Sequence, residues 1–212
     1  MLSAVMILAL AAFATPSQNV VEKEEVITHF NLGNALQDKG MLELAGLEYR
    51  EVLRINPQNA DAHSNLGSVL RRQGKLDEAI AEDREAIRID PASALRHYNL
   101  ANALQDQRKP ESAALEYREA IRIDPHFALA HNNLGNVLRD RDQAIAEYRE
   151  AIRIDNTMAQ AYYNLGGTLQ ERGDRSGAAQ AFRDFLRLVT SSTESNEKIE
   201  HARRMLAEID KP

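Results

Sequence analysis

A tripeptide that returns at a fixed interval constrains this chain more than any other feature. Asn31-Leu32-Gly33 reappears as Asn65-Leu66-Gly67, Asn99-Leu100-Ala101, Asn133-Leu134-Gly135 and Asn164-Leu165-Gly166, at intervals of 34, 34, 34 and 31 residues. A second block keeps step with it: Tyr49 to Asn56, Asp83 to Asp90, Tyr117 to Asp124, Tyr148 to Asp155 and Phe182 to Val189. A repeat of this length is one supersecondary unit that cannot bury its apolar side alone, so the units must stack. In the second unit Ala62, Leu66, Gly67, Val69 and Leu70 follow a 3.6-residue period, and Gly74 interrupts it. Ala79, Ile80, Ala86, Ile87 and Ile89 resume the period until Pro91 stops it, with Asp77 expected as the cap of the second helix. Each unit is read as two helices joined by a turn.

Numbered from 1 to 34, the second unit (60–93) places His63 at 4, Leu66-Gly67 at 7–8, Leu70 at 11, Ala79 at 20, Asp83 at 24, Ala86 at 27 and Pro91 at 32. This pattern resembles the tetratricopeptide repeat family. Five copies match it, at 26–59, 60–93, 94–127, 128–158 and 159–192. The resemblance implies an all-α fold, a right-handed α-solenoid of five tandem helix-turn-helix repeats. Residues 193–212 add a capping helix and tail, in which Ile199, Ala202, Met205, Leu206 and Ile209 form the apolar stripe. The small residues at 8 and 20 are expected to meet where the paired helices cross, Gly67 on Ala79 and Gly33 on Ala45.

Composition narrows the function. The 212 residues carry a formal charge of −6 with Lys and Arg interspersed among Asp and Glu, so no basic face exists for a nucleic-acid backbone. The absence of Cys removes disulfides, thiolate nucleophiles and Cys-ligated zinc. Residues 1–14 form an uncharged apolar segment, too short for the roughly 20 residues of a membrane span. Ala12-Phe13-Ala14 has the small-x-small form of a signal peptidase site, although Met1-Leu2-Ser3 lacks the usual basic residue. A cleaved signal, an apolar cap retained on the first repeat and an anchor all stay open. The protein is exported or periplasmic in the first case and cytoplasmic otherwise. Residues 15–25 read as a polar, Pro-containing connector.

Four histidines, His29, His63, His97 and His131, share position 4. Equivalent positions on neighbouring helices lie about 8–10 Å apart, too far for one zinc centre with ligands at about 2.0–2.1 Å. They are read as filling the large-residue slot, with no metal site. No nucleophile, base and orienting group occur together and no Gly-rich phosphate loop is present, so neither catalytic residues nor a cofactor are expected. Asparagine is the stronger signal. Position 6 is Asn31, Asn65, Asn99, Asn133 and Asn164, and position 9 adds Asn34, Ser68, Asn102 and Asn136 before Gly167 breaks the row. Positions three apart share a helix face, and an amide offers both a donor and an acceptor to a peptide backbone. The pattern looks like the asparagine ladder of the O-linked N-acetylglucosamine transferases, which implies that the first helices line a concave groove for an extended polypeptide. Chaperone-binding members of the family instead clamp a C-terminal carboxylate with cations, where this chain has Phe30, Leu95 and Asn99. The expected function is a non-catalytic scaffold or adaptor with a protein or peptide partner. The alternative is a structural assembly factor that binds a folded partner, or itself, through its convex face or ends.

Two irregularities carry expectations of their own. Leu to aromatic spacing is 17 residues in four repeats but 14 from Leu134 to Tyr148, the loss matching Gly74-Lys75-Leu76. Either the first helix shortens, with Asp142 capping the second, or one helix runs from about 129 to 154 and invites a domain-swapped homodimer. The shortened hairpin is favoured. Asp83 replaces the aromatic residue of position 24, which is expected to face position 4, so Asp83 should pair with His63 or a nearby Arg.

Overall fold

The computed structural model describes residues 15–189 and 196–209. The described residues form eleven helices and no strand. They are α1 (Thr15–Asp38), α2 (Leu42–Ile55), α3 (Ala60–Arg72), α4 (Leu76–Ile89), α5 (Ala94–Asp106), α6 (Pro110–Ile123), α7 (Ala128–Val137), α8 (Arg141–Ile154), α9 (Ala159–Arg172), α10 (Arg175–Val189) and α11 (Asn196–Ile209). The fold is an α-solenoid of tandem helix-turn-helix repeats closed by a terminal helix. The chain divides into two compact units, residues 1–91 with α1–α4 and residues 92–212 with α5–α11. In the first, α1 pairs with α2, α3 with α4, and α2 packs on α3. In the second, α5 pairs with α6, α7 with α8 and α9 with α10; α6 packs on α7, α8 on α9, and α10 on α11. No described helix is long and apolar enough to cross a membrane.

The stretch expected to be a connector, residues 15–25, is the start of α1. Pro16 falls in the first turn, where a missing N–H breaks no intrahelical bond, and no glycine follows until Gly33. The apolar segment 1–14 lies outside the described residues. Asp77 does not cap α4: it sits within the first turn, beside the positive end of the helix dipole, and Lys75 takes the cap position. The turns of the first, second, third and fifth repeats contain one left-handed residue each, Gly40, Gly74, Arg108 and Gly173. Arg108 holds φ at 61° without the freedom of glycine.

The fourth repeat keeps its hairpin. Helix α7 has 10 residues where α3 and α5 have 13, and its chain leaves at Leu138 in an extended conformation. Asp140, two residues before the expected Asp142, caps α8 and accepts from the N–H groups of Asp142 and Gln143 at 2.9 and 3.0 Å. The extended backbone at Leu138 ends the first helix and Asp140 starts the second, so the continuous helix that invited a domain-swapped homodimer does not form.

The core of every pair but the second, which has Asp83, is built on the aromatic residue of position 24. Tyr49, Tyr117 and Phe182 are fully buried and Tyr148 nearly so, among fully buried Ala45, Ala62, Ala113, Ala120, Ala130, Ala151 and Ala161. Tyr49, Tyr148 and Phe182 face the glycine of position 8, not position 4. A Cβ added at Gly33 would come within 2.7 Å of the Tyr49 ring, one at Gly135 within 2.6 Å of Tyr148, and one at Gly166 within 2.9 Å of Phe182. Helical side chains lean toward their own N-terminus. In an antiparallel pair the ring at 24 therefore swings toward the turn, onto positions 8, 9 and 12. Gly67 consequently lies against the Asp83 carboxylate as well as the Ala79 carbonyl. At the far end α11 covers the last pair: Ala202 is fully buried, and Ile199, Met205, Leu206 and Ile209 pack on the cluster around Phe182, Phe185 and Val189.

Candidate functional site: the asparagine face

The asparagines of positions 6 and 9 bond to one another. In the first unit Asn65 Nδ2 donates to Asn34 Oδ1 at 3.0 Å, joining α3 to α1. In the second, Asn133 Nδ2 donates to Asn102 Oδ1 at 3.1 Å, joining α7 to α5, and Asn164 Nδ2 donates to Asn136 Oδ1 at 2.8 Å, joining α9 to α7. The same acceptor oxygens receive the buried tyrosines: Tyr49 Oη donates to Asn34 at 2.8 Å, Tyr117 to Asn102 at 2.7 Å and Tyr148 to Asn136 at 3.0 Å. Gln37 and Gln105 stand within 3.0 and 2.7 Å of the first two hydroxyls. Burial pushes the phenols of Tyr49 and Tyr148 up to about 12, so both remain protonated donors.

Each position-9 asparagine is thus a latch. It closes its own hairpin through tyrosine and holds the next repeat through that repeat's asparagine. Among the described residues no bond is recorded for the Nδ2 groups of Asn34, Asn102 and Asn136, nor for Oδ1 of Asn65. These are the amide atoms a ligand could use. The remaining expected site residues vary: Asn31 is exposed and Ser68 half-buried, while Asn99 on α5 is engaged with a partner. Asn132, which sequence reasoning passed over, is 4% exposed and bonds Asn133 and Asn164 at 3.0 and 3.1 Å.

The position-4 histidines do more than fill space. Nδ1 of His29, His63, His97 and His131 lies 2.6–2.7 Å from Oε2 of Glu48, Glu82, Glu116 and Glu147, all at position 23 of the paired helix. His63 Nε2 also meets the Pro57 carbonyl at 3.1 Å, and His131 Nε2 the Pro125 carbonyl at 3.3 Å. Burial pulls the His131 pKa down, but the hydrogen bond and charge of Glu147 outweigh it and hold the ring above its ordinary value. No group of three or more metal-ligating side chains is found among the described residues.

His63 therefore bonds Glu82 and not Asp83. The Asp83 carboxylate is 1% exposed, and its Oδ1 has no hydrogen-bond partner. Burial pushes it up to about 8, opposed by the Arg71 charge and reinforced by Glu82. A carboxylate is too short to reach past the glycine to positions 9 and 12, where the hydroxyls of Tyr49 and Tyr117 find their partners.

Comparison with known proteins agrees with this architecture. Profiles described as TPR repeat match residues 33–74, 67–107, 109–139 and 140–173, and one described as Tetratricopeptide repeat matches 160–191. A search of the curated proteins finds no match. Among solved structures the chain is similar to MamA protein, with 25% identity over 86% of this chain and 96% of that one at a TM-score of 0.68. YrrB, described as a TPR protein with an unusual peptide-binding site, is 21% identical over 89% and 97% of the two chains at 0.67. An O-GlcNAc transferase of Thermobaculum terrenum is 23% identical over 62% of this chain and 26% of that enzyme, at 0.60. With matched repeats running from residue 33 to 191 on a backbone of paired helices, the chain belongs to the tetratricopeptide repeat family and is a protein-interaction scaffold.

Proposed function

We propose that the chain is a non-catalytic adaptor that holds an extended segment of another polypeptide against Asn31, Asn34, Asn65, Ser68, Asn99, Asn102, Asn133, Asn136 and Asn164. The observation that carries this reading is the divided use of the amides. Their oxygens brace the repeats, while the Nδ2 groups of Asn34, Asn102 and Asn136 remain as donors for a backbone carbonyl. An extended chain offers such carbonyls at regular steps whatever its side chains are. Neither nucleic acid nor a chaperone C-terminal tail is part of the reading, because the asparagine row lacks the cations that both require.

Asn102→Asp/Asn136→Asp tests this directly. Aspartate keeps the acceptor oxygen for Tyr117, Tyr148, Asn133 and Asn164 but removes the Nδ2 donor. On an array of extended peptides, the variant should lose binding that the parent chain has, with its melting temperature within a few degrees of the parent. Undiminished array binding by a folded variant refutes the groove.

A further inference from the structure

The face that bears the asparagines is not polar throughout. Leu95 and Leu129 stand one turn before Asn99 and Asn133, at the same place in successive repeats, and they are 54% and 48% exposed. A spacing of four residues puts each leucine on the strip of its asparagine. Both lie in the second unit, where the Asn133 amide donates to Asn102 and to the Tyr98 hydroxyl, each at 3.1 Å, and ties α7 alongside α5. The two leucines are therefore one interhelix step apart, about 8–10 Å. Gln160 takes the equivalent place on α9, so within this unit the row has two apolar members.

The strip between them is uncharged. A charged segment laid on Tyr98, Asn102, Asn133 and Asn136 would give up water without a counter-ion, whereas aliphatic side chains would gain by covering the leucines. A polyproline-like chain rises about 3.1 Å per residue with three residues per turn, so three residues span about 9 Å and return the side chain to the same face, which a β-strand with its period of two does not do. That length equals the step between the leucines. Every third side chain then falls on the apolar row, and the intervening carbonyls fall beside the Nδ2 groups of Asn102 and Asn136.

We infer that the second unit selects an uncharged polypeptide segment in the extended, polyproline-like form, with aliphatic side chains at every third residue. The inference rests on the proposed groove and adds which sequences that groove accepts.

Selection of a random dodecapeptide phage library on the full chain tests it. Enriched peptides should carry aliphatic residues at i and i+3 with few charges between. Their affinity should fall by about tenfold or more in Leu95→Ser/Leu129→Ser, whose exposed positions leave the fold intact by circular dichroism. The inference is overturned by enrichment at i and i+2, by a charged consensus, by no enrichment, or by unchanged affinity in the leucine variant. If that variant binds normally while Asn102→Asp/Asn136→Asp does not, the leucine row fails and the groove stands. If both bind normally, both readings fail.

Discussion

Replacing Asp83 should raise stability by an amount that depends on pH. The carboxyl is 1% exposed with an orphaned Oδ1, and burial pushes its pKa up to about 8, against 3.8 for an ordinary aspartate. The folded state therefore prefers the neutral acid. Between pH 4 and 8 the native chain binds more protons here than the unfolded one, so this group's contribution falls as pH rises and levels off above 8. This is opposite in sign to a salt-bridged aspartate. A gap of about four units at 1.36 kcal/mol each sets a ceiling of about 6 kcal/mol, and local opening to water limits the realised loss to about 3–5 kcal/mol. Asp83→Asn keeps the shape and removes the titration. Urea denaturation of parent and variant at pH 5, 6, 7, 8 and 9 should give a stability difference that favours the variant increasingly up to about pH 8. Subtracting the two curves cancels the surface carboxylates common to both. Asp83→Tyr should add aromatic burial worth on the order of 2–4 kcal/mol and erase the same pH dependence. A difference that stays flat from pH 5 to 9 would refute the account of a buried, unpaired acid.

Three further outcomes are expected. Arg108→Gly, at the left-handed turn after α5, should raise stability by about 0.5–1 kcal/mol, read from chemical denaturation. Gly135→Ala should lower it by about 1–3 kcal/mol despite the better helix propensity of alanine, because the new methyl meets the Tyr148 ring at 2.6 Å. The His131–Glu147 pair should stabilise the fold below the unfolded histidine value of 6.5 and lose that contribution as pH rises through the raised folded one. Glu147→Gln should move the NMR titration midpoint of His131 downward, and an unmoved midpoint would count against the pairing.

Periodicity and stop signals made the helix pairs legible, since Gly74 and Pro91 break apolar runs that nothing else interrupts. Facing partners across a pair were less legible. Matching positions as mirror images about the closest crossing set 24 against 4, but side chains lean toward their own N-termini, which shifts the contacts by a turn. Position 24 reaches 8 and 9, and position 4 reaches 23. Two signals could have revealed this. Each position-4 histidine is followed by a glutamate 19 residues on, or 16 in the shortened repeat. Tyr at 24 also occurs only with Asn at 9, whereas Asp83 goes with Ser68 and Phe182 with Gly167. Residues 15–25, polar and Pro-containing, read as a connector, but a helix tolerates proline in its first turn.

The latch formed by asparagine and tyrosine also writes punctuation into the array. A position-9 asparagine meets its full set of partners only where the next repeat supplies a position-6 amide. In the fifth repeat the follower is α11, which covers the last pair with Ala202, Ile199 and Leu206. There the asparagine has become Gly167, and the hydroxyl has gone from Phe182. The last repeat has thus given up the latch, and the helix that follows it is held by apolar packing instead.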